Sequence, residues 1–270
     1  MGRLRPPFLF VTMKILGILN ITTDSFSDGG KYLAPEAALA HGESLVRNGA
    51  DIIDIGAASS HPDAQAVEPD TEIARLAAIV PALKARGVPF SIDSFHTPVQ
   101  RWALAVGADY LNDIHGFADA AFYPELVASP AKLIVMHAIQ ARGIATREDV
   151  PPGDIMDRIF AFFDARISAL EKAGVARDRL ILDPGMGFFL GTNPETSMTV
   201  LGRLPDLTRR YALPLLVSVS RKSFLKAQAG GDPERLRSLS AAAEARAVIQ
   251  GGAIYIRTHD PAALRGRLTS

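Results

Sequence analysis

Asp93, Asp183, Asn112 and Lys222 bring two separated carboxylates, an amide and a cation to a chain of 270 residues. An acceptor-rich set with one cationic donor suits a planar heterocycle bearing amino and lactam groups, gripped along its edge. A second set, Asn20, His61, Arg257 and His259, supplies donors and one amide oxygen. That chemistry suits a phosphate or diphosphate, with Mg²⁺ held mainly by substrate oxygens and few protein ligands. Lys222 also admits a Schiff-base reading. It lies in the string Ser220-Arg221-Lys222-Ser223, however, where a charged clamp near a helix N-terminus fits better. There is no His-Glu-x-x-His string and no cysteine, so thiol catalysis and Cys-ligated metal are excluded.

Singly, each residue has a plainer role open to it. An Asp after a strand commonly caps the next helix, and a lone His is commonly a buried structural group. Position is what joins them. Asn20, Asp54, Asp93, Asn112 with Asp113, His137, Asp183, Ser220 to Lys222, and Arg257 with His259 all stand where apolar runs end. Those runs occupy residues 14–20, 51–56, 89–94, 109–114, 132–137, 179–185, 214–220 and 253–258. Continuous apolar runs of this length read as strands buried on both faces, the mark of a parallel sheet. Helical spacing fills 35–48, 70–86 and 154–172, and Gly49, Gly87, Gly107, Gly174 and Gly252 stand at helix C′ positions. Eight such units match a (β/α)₈ TIM barrel, which puts function on the loops after the strands. A doubly wound open sheet is the alternative, but no G-x-G-x-x-G turn follows the first strand.

Composition narrows the partners. Lys and Arg number 29, Asp and Glu 29, so the basic excess that nucleic acid requires is missing. With 48 % hydrophobic residues the chain is globular. No apolar run is long enough to span a bilayer, and the stretch 8–11 after Arg3 and Arg5 is too short for a signal peptide. The expected organisation is a disordered extension over 1–12 and one barrel domain over 13–270, in a reducing, cytoplasmic setting.

Seven strings, in order along nearly the whole chain, resemble the dihydropteroate synthases. They are GILNITTDSFSDGG (17–30), SIDSF (91–95), YLNDI (110–114), VMH (135–137), ILDPGMGF (181–188), SVSRKSF (218–224) and RTHD (257–260). The resemblance implies that 6-hydroxymethyl-7,8-dihydropterin diphosphate is joined to p-aminobenzoate, with release of diphosphate. It implies a pterin pocket of Asp93, Asn112, Ile114, Met136, Asp183, Phe188 and Lys222, with Asp93, Asp183 and Lys222 catalytic. Asn20 corresponds to a magnesium ligand, and Asn20, Ser60, His61, Arg257, Thr258 and His259 to the diphosphate site. Pro62, Phe188, Phe189, Ser220 and Arg221 fall on the p-aminobenzoate side. Asp24 and Phe26 belong to a first loop expected to close over the reactants, and loops 22–34 and 57–69 are the lids. A homodimer through late barrel helices is also implied, weakened by the short end at Ser270.

Two strings depart from the family. Ala58-Ser59-Ser60-His61-Pro62 stands where E-S-T-R-P is usual, so a histidine replaces the clamp arginine. Gly187-Phe188-Phe189-Leu190-Gly191 is longer than the usual G-F-G-K. Both resemble the sulfonamide-insensitive, plasmid-borne branch, which points to Phe189 as a steric filter against sulfonamides. Two alternatives share the pterin residues: a barrel methyltransferase acting on methyltetrahydrofolate, and a non-catalytic pterin-binding module. The Ser-Arg-Lys-Ser string and Asn20 to Phe26 speak against the first.

Overall fold

The computed structural model describes residues 13–22, 35–140 and 143–269. The expected extension 1–12, and Asp24 and Phe26 of the first loop, lie outside the described residues. Eight strands form one sheet: β1 (Lys14–Asn20), β2 (Ile52–Gly56), β3 (Phe90–Asp93), β4 (Tyr110–Asp113), β5 (Lys132–Met136), β6 (Leu180–Asp183), β7 (Leu216–Val217) and β8 (Tyr255–Thr258). Every neighbouring pair is parallel, in the order β6-β5-β4-β3-β2-β1-β8-β7. A bridge between Leu182 and Leu215 joins the two ends, reinforced by the Leu182 N–H donating to the Pro214 carbonyl at 2.9 Å. The sheet therefore closes into a (β/α)₈ barrel, as the apolar runs predict.

Among the described residues the helices are α1 (Pro35–Arg47), α2 (Pro69–Ala77), α3 (Val80–Ala85), α4 (Thr97–Ala105), α5 (Tyr123–Ala128), α6 (Ile155–Ala173), α7 (Pro194–Tyr211), α8 (Ser223–Ala229), α9 (Pro233–Ile249) and α10 (Pro261–Thr269). The single helix expected over 70–86 is two helices. Pro81, in the first turn of α3, has no N–H to return to Ala77, so the chain breaks and restarts. The strand expected over 214–220 shrinks to two residues. The chain turns after it, with the Lys222 N–H donating to the Val219 carbonyl and Arg221 in the left-handed region at φ 57°.

Strand alternation sorts every side chain at the mouth. Leu16, Ile52, Tyr110, Ile134, Ile181, Leu216 and Tyr255 pack together inside the barrel. Side chains repeat every second residue on one face. Two residues further along, the same interior face carries Ile18, Asp54, Asn112, Met136, Asp183, Ser218 and Arg257. Asp93 joins that face by register, opposite Gly56 on one side and Asn112 on the other. Ile15, Leu19, Ile53, Ile92, Leu111, Leu133 and Leu182 point the other way and pack under the helices. An apolar floor beneath and a helical jacket around leave the polar ring open only at the strands' C-terminal end.

Three strand-end candidates fall on the outer face instead. Asp113 is buried, accepting from the N–H groups of His115 and Phe117 and from Gln100 Nε2 at 2.7, 3.0 and 3.0 Å. It shapes the loop after β4. His137 donates from Nδ1 to the Pro184 carbonyl at 3.1 Å, and burial lowers its pKa to about 4. Thr258 accepts the Asp260 N–H at 3.1 Å, on the far side of β8 from Arg257. These three hold loops in place.

Candidate active site

Arg257 organises the mouth. From β8 it reaches across β1, where Ile18 offers no competing charge. Its Nε donates to Asp54 on β2, and its Nη2 donates to Asp93 on β3 at 2.7 Å. Asp54 has no exposed surface and its Oδ1 has no other partner among the described residues. The Asp93 side chain keeps 23 % exposure and turns that surface to the cavity. Two desolvated carboxylates against one guanidinium leave the cluster short of positive charge. Burial works against the charge on Arg257, but Asp54 and Asp93 outweigh it and hold the guanidinium firmly protonated.

The carboxyls and the lysine record the same desolvation. Burial lifts Asp93 to about 7; Arg257 opposes the lift and Asp54 adds to it. Burial likewise lifts Asp183 to about 6, against the Gly185 N–H, which donates to its Oδ1 at 2.8 Å, and against Lys222. Lys222 is pulled down to about 8 by burial and by Arg257, with Asp183 and Asp93 pulling the other way. Unfolded aspartates release their protons near pH 4. The folded site releases them near 6 and 7, so these groups favour the fold below about pH 4. That contribution is lost as pH rises through 6 to 7. At neutral pH the mouth holds charge that the fold alone would not choose, the signature of a functional site.

A cavity of about 750 Å³ opens above this cluster. Of the residues expected in the site, Asn20, Ser60, His61, Pro62, Asp93, Phe188, Phe189, Ser220, Arg221, Lys222, Arg257 and His259 line it. Asn112, Asp183, Ile114 and Met136 are buried and are not among its lining residues, and Thr258 lies outside the barrel interior. Asn112 Oδ1 is buried without a partner, an acceptor left waiting for a donor. On the other flank, His259 Nδ1 meets Ser220 Oγ at 3.1 Å. Burial, then Arg221, Arg257 and Lys222, push this histidine down to about 3, so it enters the site as a neutral imidazole.

The aromatic pair after β6 divides its work. Phe189 is 6 % exposed and packs with Ile114, Met136, Ala138 and Ala145, with Lys222 Nζ lying 4.9 Å from its ring centroid. Phe188 stands at the rim, with His61 edge-on at 5.5 Å and the Arg147 guanidinium at 5.8 Å. Arg147 is itself paired with Asp63 through both nitrogens. His61 Nδ1 accepts the Asp63 N–H at 3.2 Å, while the ring lines the cavity. The residue at the rim is thus Phe188, and Phe189 is the wall beneath it.

Motif reading passes over several residues at this mouth. Asp54 shows only as one strand-end acid among several, although counting by two from Ile52 marks it as inward. Lys226 and Ser223 also line the cavity. Lys226 follows Lys222 by one helical turn on α8, a spacing visible in the sequence. Arg147 has no sequence signal at all; its partner Asp63 lies 84 residues away.

Breaking the clamp has a defined consequence. Arg257→Met strands Asp54 as an unpaired, fully buried carboxylate and is expected to cost about 3–5 kcal/mol in urea unfolding. Adding Asp54→Asn is expected to restore more than half of the loss. A single variant within about 0.5 kcal/mol of wild type would show that the fold does not depend on the pair.

The family described as "Pterin binding enzyme" matches residues 16–259. The chain is 58 % identical over 254 residues to the type-2 dihydropteroate synthase of Escherichia coli, covering 94 % of this chain and 93 % of that one. It is 50 % identical over 256 residues to the type-1 enzyme of the same organism, covering 94 % and 91 %. A solved dihydropteroate synthase of Xanthomonas albilineans with 4-aminobenzoic acid superposes with a TM-score of 0.84 at 34 % identity, over 96 % of this chain and 91 % of that one. With more than nine-tenths of the chain matched at this identity and the barrel reproduced, this protein belongs to the dihydropteroate synthase family of pterin-binding enzymes.

Proposed function

We propose that the barrel mouth joins 6-hydroxymethyl-7,8-dihydropterin diphosphate to p-aminobenzoate, a transferase reaction of folate biosynthesis, with the following division of labour. Asn112, Asp183 and Asp93 receive the amino–lactam edge and ring nitrogens of the pterin, Lys222 donates to it, and Ile114, Met136 and Phe189 wall it in. Arg257, Asn20, Ser60 and the Nε2–H of His259 take the diphosphate; Thr258, turned outward, has no part in it. One observation carries this reading. Two inward carboxylates, lifted by burial, interact with Lys222 beside an arginine clamp under an apolar wall. A cation developing on the pterin methylene as diphosphate leaves is stabilised by those preorganised carboxylates. The aniline nitrogen then needs alignment and dryness, with no strong base.

Magnesium fits the donors present. A side chain at Gly56 would make ordinary contact with Asn20 Oδ1 at 3.4 Å and Asp93 Oδ2 at 3.8 Å, so two hard oxygens flank this point, the second already held by Arg257. Among the described residues no group of three or more His, Cys, Asp or Glu could hold a metal. Asn20 together with substrate oxygens is therefore the holding set. When bound, Mg²⁺ offsets negative charge on the departing diphosphate.

Phe188 is the steric filter in this proposal. A flat carboxylate passes its edge, whereas a tetrahedral sulfonyl with a substituent meets the ring backed by His61 and Arg147. Ser220 and Arg221 complete that side, and Pro62 closes it above. The setting is cytoplasmic. A homodimer contact lies on the late helices, where Met198 on α7 and Ile249 on α9 stay exposed.

The direct test is diphosphate release with and without p-aminobenzoate and Mg²⁺; folded protein that shows no aniline-dependent release overturns the synthase reading. Free-enzyme kcat/KM is expected to rise as Asp183 and then Asp93 ionise, near pH 6 and 7, and to fall as Lys222 loses its proton near pH 8. Lys222→Met forfeits a charge-assisted bond of roughly 1.5–3 kcal/mol, at least about tenfold in pterin affinity. Its residual activity is expected to lack the alkaline limb. Affinity within twofold and an unaltered limb would place Lys222 elsewhere.

For the filter, hundredfold selectivity requires about 2.7 kcal/mol, within reach of one clash. Phe188→Ala is expected to strengthen sulfamethoxazole inhibition at least about tenfold, with KM for p-aminobenzoate changed by less than about threefold. Equal inhibition of variant and wild type would remove Phe188 from this role.

A further inference from the structure

Behind the cavity, α9 carries an acid that the reaction does not use. Glu244 lies on the face α9 buries, with Ser240, Ala241, Ala245 and Ala247. It is 1 % exposed, and its Oε1 has no hydrogen-bond partner among the described residues. Beside it is a crevice of about 10 Å³, near the volume of one water centre, bounded also by Ser220, Arg221, Thr258 and Asp260. Burying such a group with one oxygen unpaired in an alanine-rich helix costs stability, and Ala or Leu would pack there more cheaply. Burial lifts its carboxyl to about 8; Asp260 adds to the lift, while Thr258, Ser220 and Arg221 oppose it. Arg237, from its own helix, also bounds the crevice and is tied to Asp260. At neutral pH Glu244 is therefore a proton donor.

Two hydroxyls, those of Thr258 and Ser220, bound the crevice beside this acid, and of the two only Ser220 also lines the cavity. Ser220 Oγ accepts the His259 N–H at 3.3 Å and meets His259 Nδ1 at 3.1 Å. A serine hydroxyl has one proton to give and two lone pairs to fill. With Glu244 protonated, its O–H fills the second lone pair. The Ser220 proton then goes to His259 Nδ1, and the imidazole keeps its own proton on Nε2. With Glu244 ionised, Ser220 donates to the carboxylate instead, and His259 must carry its proton on Nδ1 to donate back. Nε2 would then turn a bare lone pair toward the cavity that the ring lines.

We propose that Glu244 is a positioning residue, acting through Ser220 to hold His259 in the Nε2–H tautomer that offers a donor to the departing diphosphate. The last clause rests on the function proposed above; the coupling of Glu244 to His259 does not. Ring ¹⁵N and ¹³C shifts of His259, recorded on the full chain, read the tautomer directly. Wild type is expected to show Nε2–H at pH 7 and to move toward Nδ1–H as pH passes about 8. Glu244→Gln, whose amide still donates, is expected to stay Nε2–H to about pH 9. Glu244→Ala is expected to lose the preference at pH 7 and to bind inorganic diphosphate about tenfold more weakly, with Glu244→Gln within about twofold. A wild-type tautomer that ignores pH, or one unchanged in Glu244→Ala, overturns the coupling. If His259→Ala binds diphosphate normally while the tautomer still follows Glu244, the coupling stands and the diphosphate assignment falls.

Discussion

The mouth of this barrel is arranged around one guanidinium between two carboxylates. Arg257 reaches Asp54 and Asp93 because β8, β1, β2 and β3 are neighbours in the sheet and because β1 presents Ile18 between them. Remove that pairing and Asp54 is a naked charge with no exposed surface. Keep it and Asp93 is a carboxylate only partly neutralised, acted on by Asp54 and Lys222. A barrel closed by hydrogen bonds all round has little freedom to relieve this by opening. The electrostatic tension is thus borne by the site's protonation equilibria, which is where a cationic transition state can draw on it.

The loops above the strands form a second layer with its own continuity. The Ala145 N–H donates to the Ser60 carbonyl at 3.1 Å, and the Ile139 N–H to the Phe189 carbonyl at 3.0 Å. The Thr192 N–H donates to the Glu148 carbonyl at 2.7 Å. Together with the Asp63–Arg147 pair, these bonds tie the loops after β2, β5 and β6 into one rim. The ion pair is exposed and contributes little to stability by itself. Its geometric effect is larger, since it sets Arg147 beside Phe188 and so braces the ring at the rim. Lys222 joins the two layers, with its charge among the carboxylates and its ammonium near the face of Phe189.

Much of this is written in period-two arithmetic. Apolar runs give the strands, and counting by two from the interior residues Ile52, Tyr110, Ile181 and Tyr255 lands on Asp54, Asn112, Asp183 and Arg257. The same count would have turned Thr258, Asp113 and His137 outward, where motif matching alone places Thr258 with the ligands. What the chain does not announce is tertiary. Phe188 and Phe189 are adjacent and chemically identical, and only the packing of the loop after β6 buries one and presents the other. The division of 70–86 into two helices was legible in Pro81. The shortening of β7 was not, because it follows from how the chain must turn to bring Ser220 and Lys222 back over the barrel.

Desolvation around the Arg257 clamp holds two aspartates at the mouth well above the ordinary carboxylate range. Carboxyl ¹³C titration of the folded protein, assigned with Asp93→Asn and Asp183→Asn, tests it directly. Two site carboxyls are expected with midpoints well above the ordinary value, near 7 for Asp93 and near 6 for Asp183. Both titrating near pH 4, as an exposed aspartate does, would contradict it.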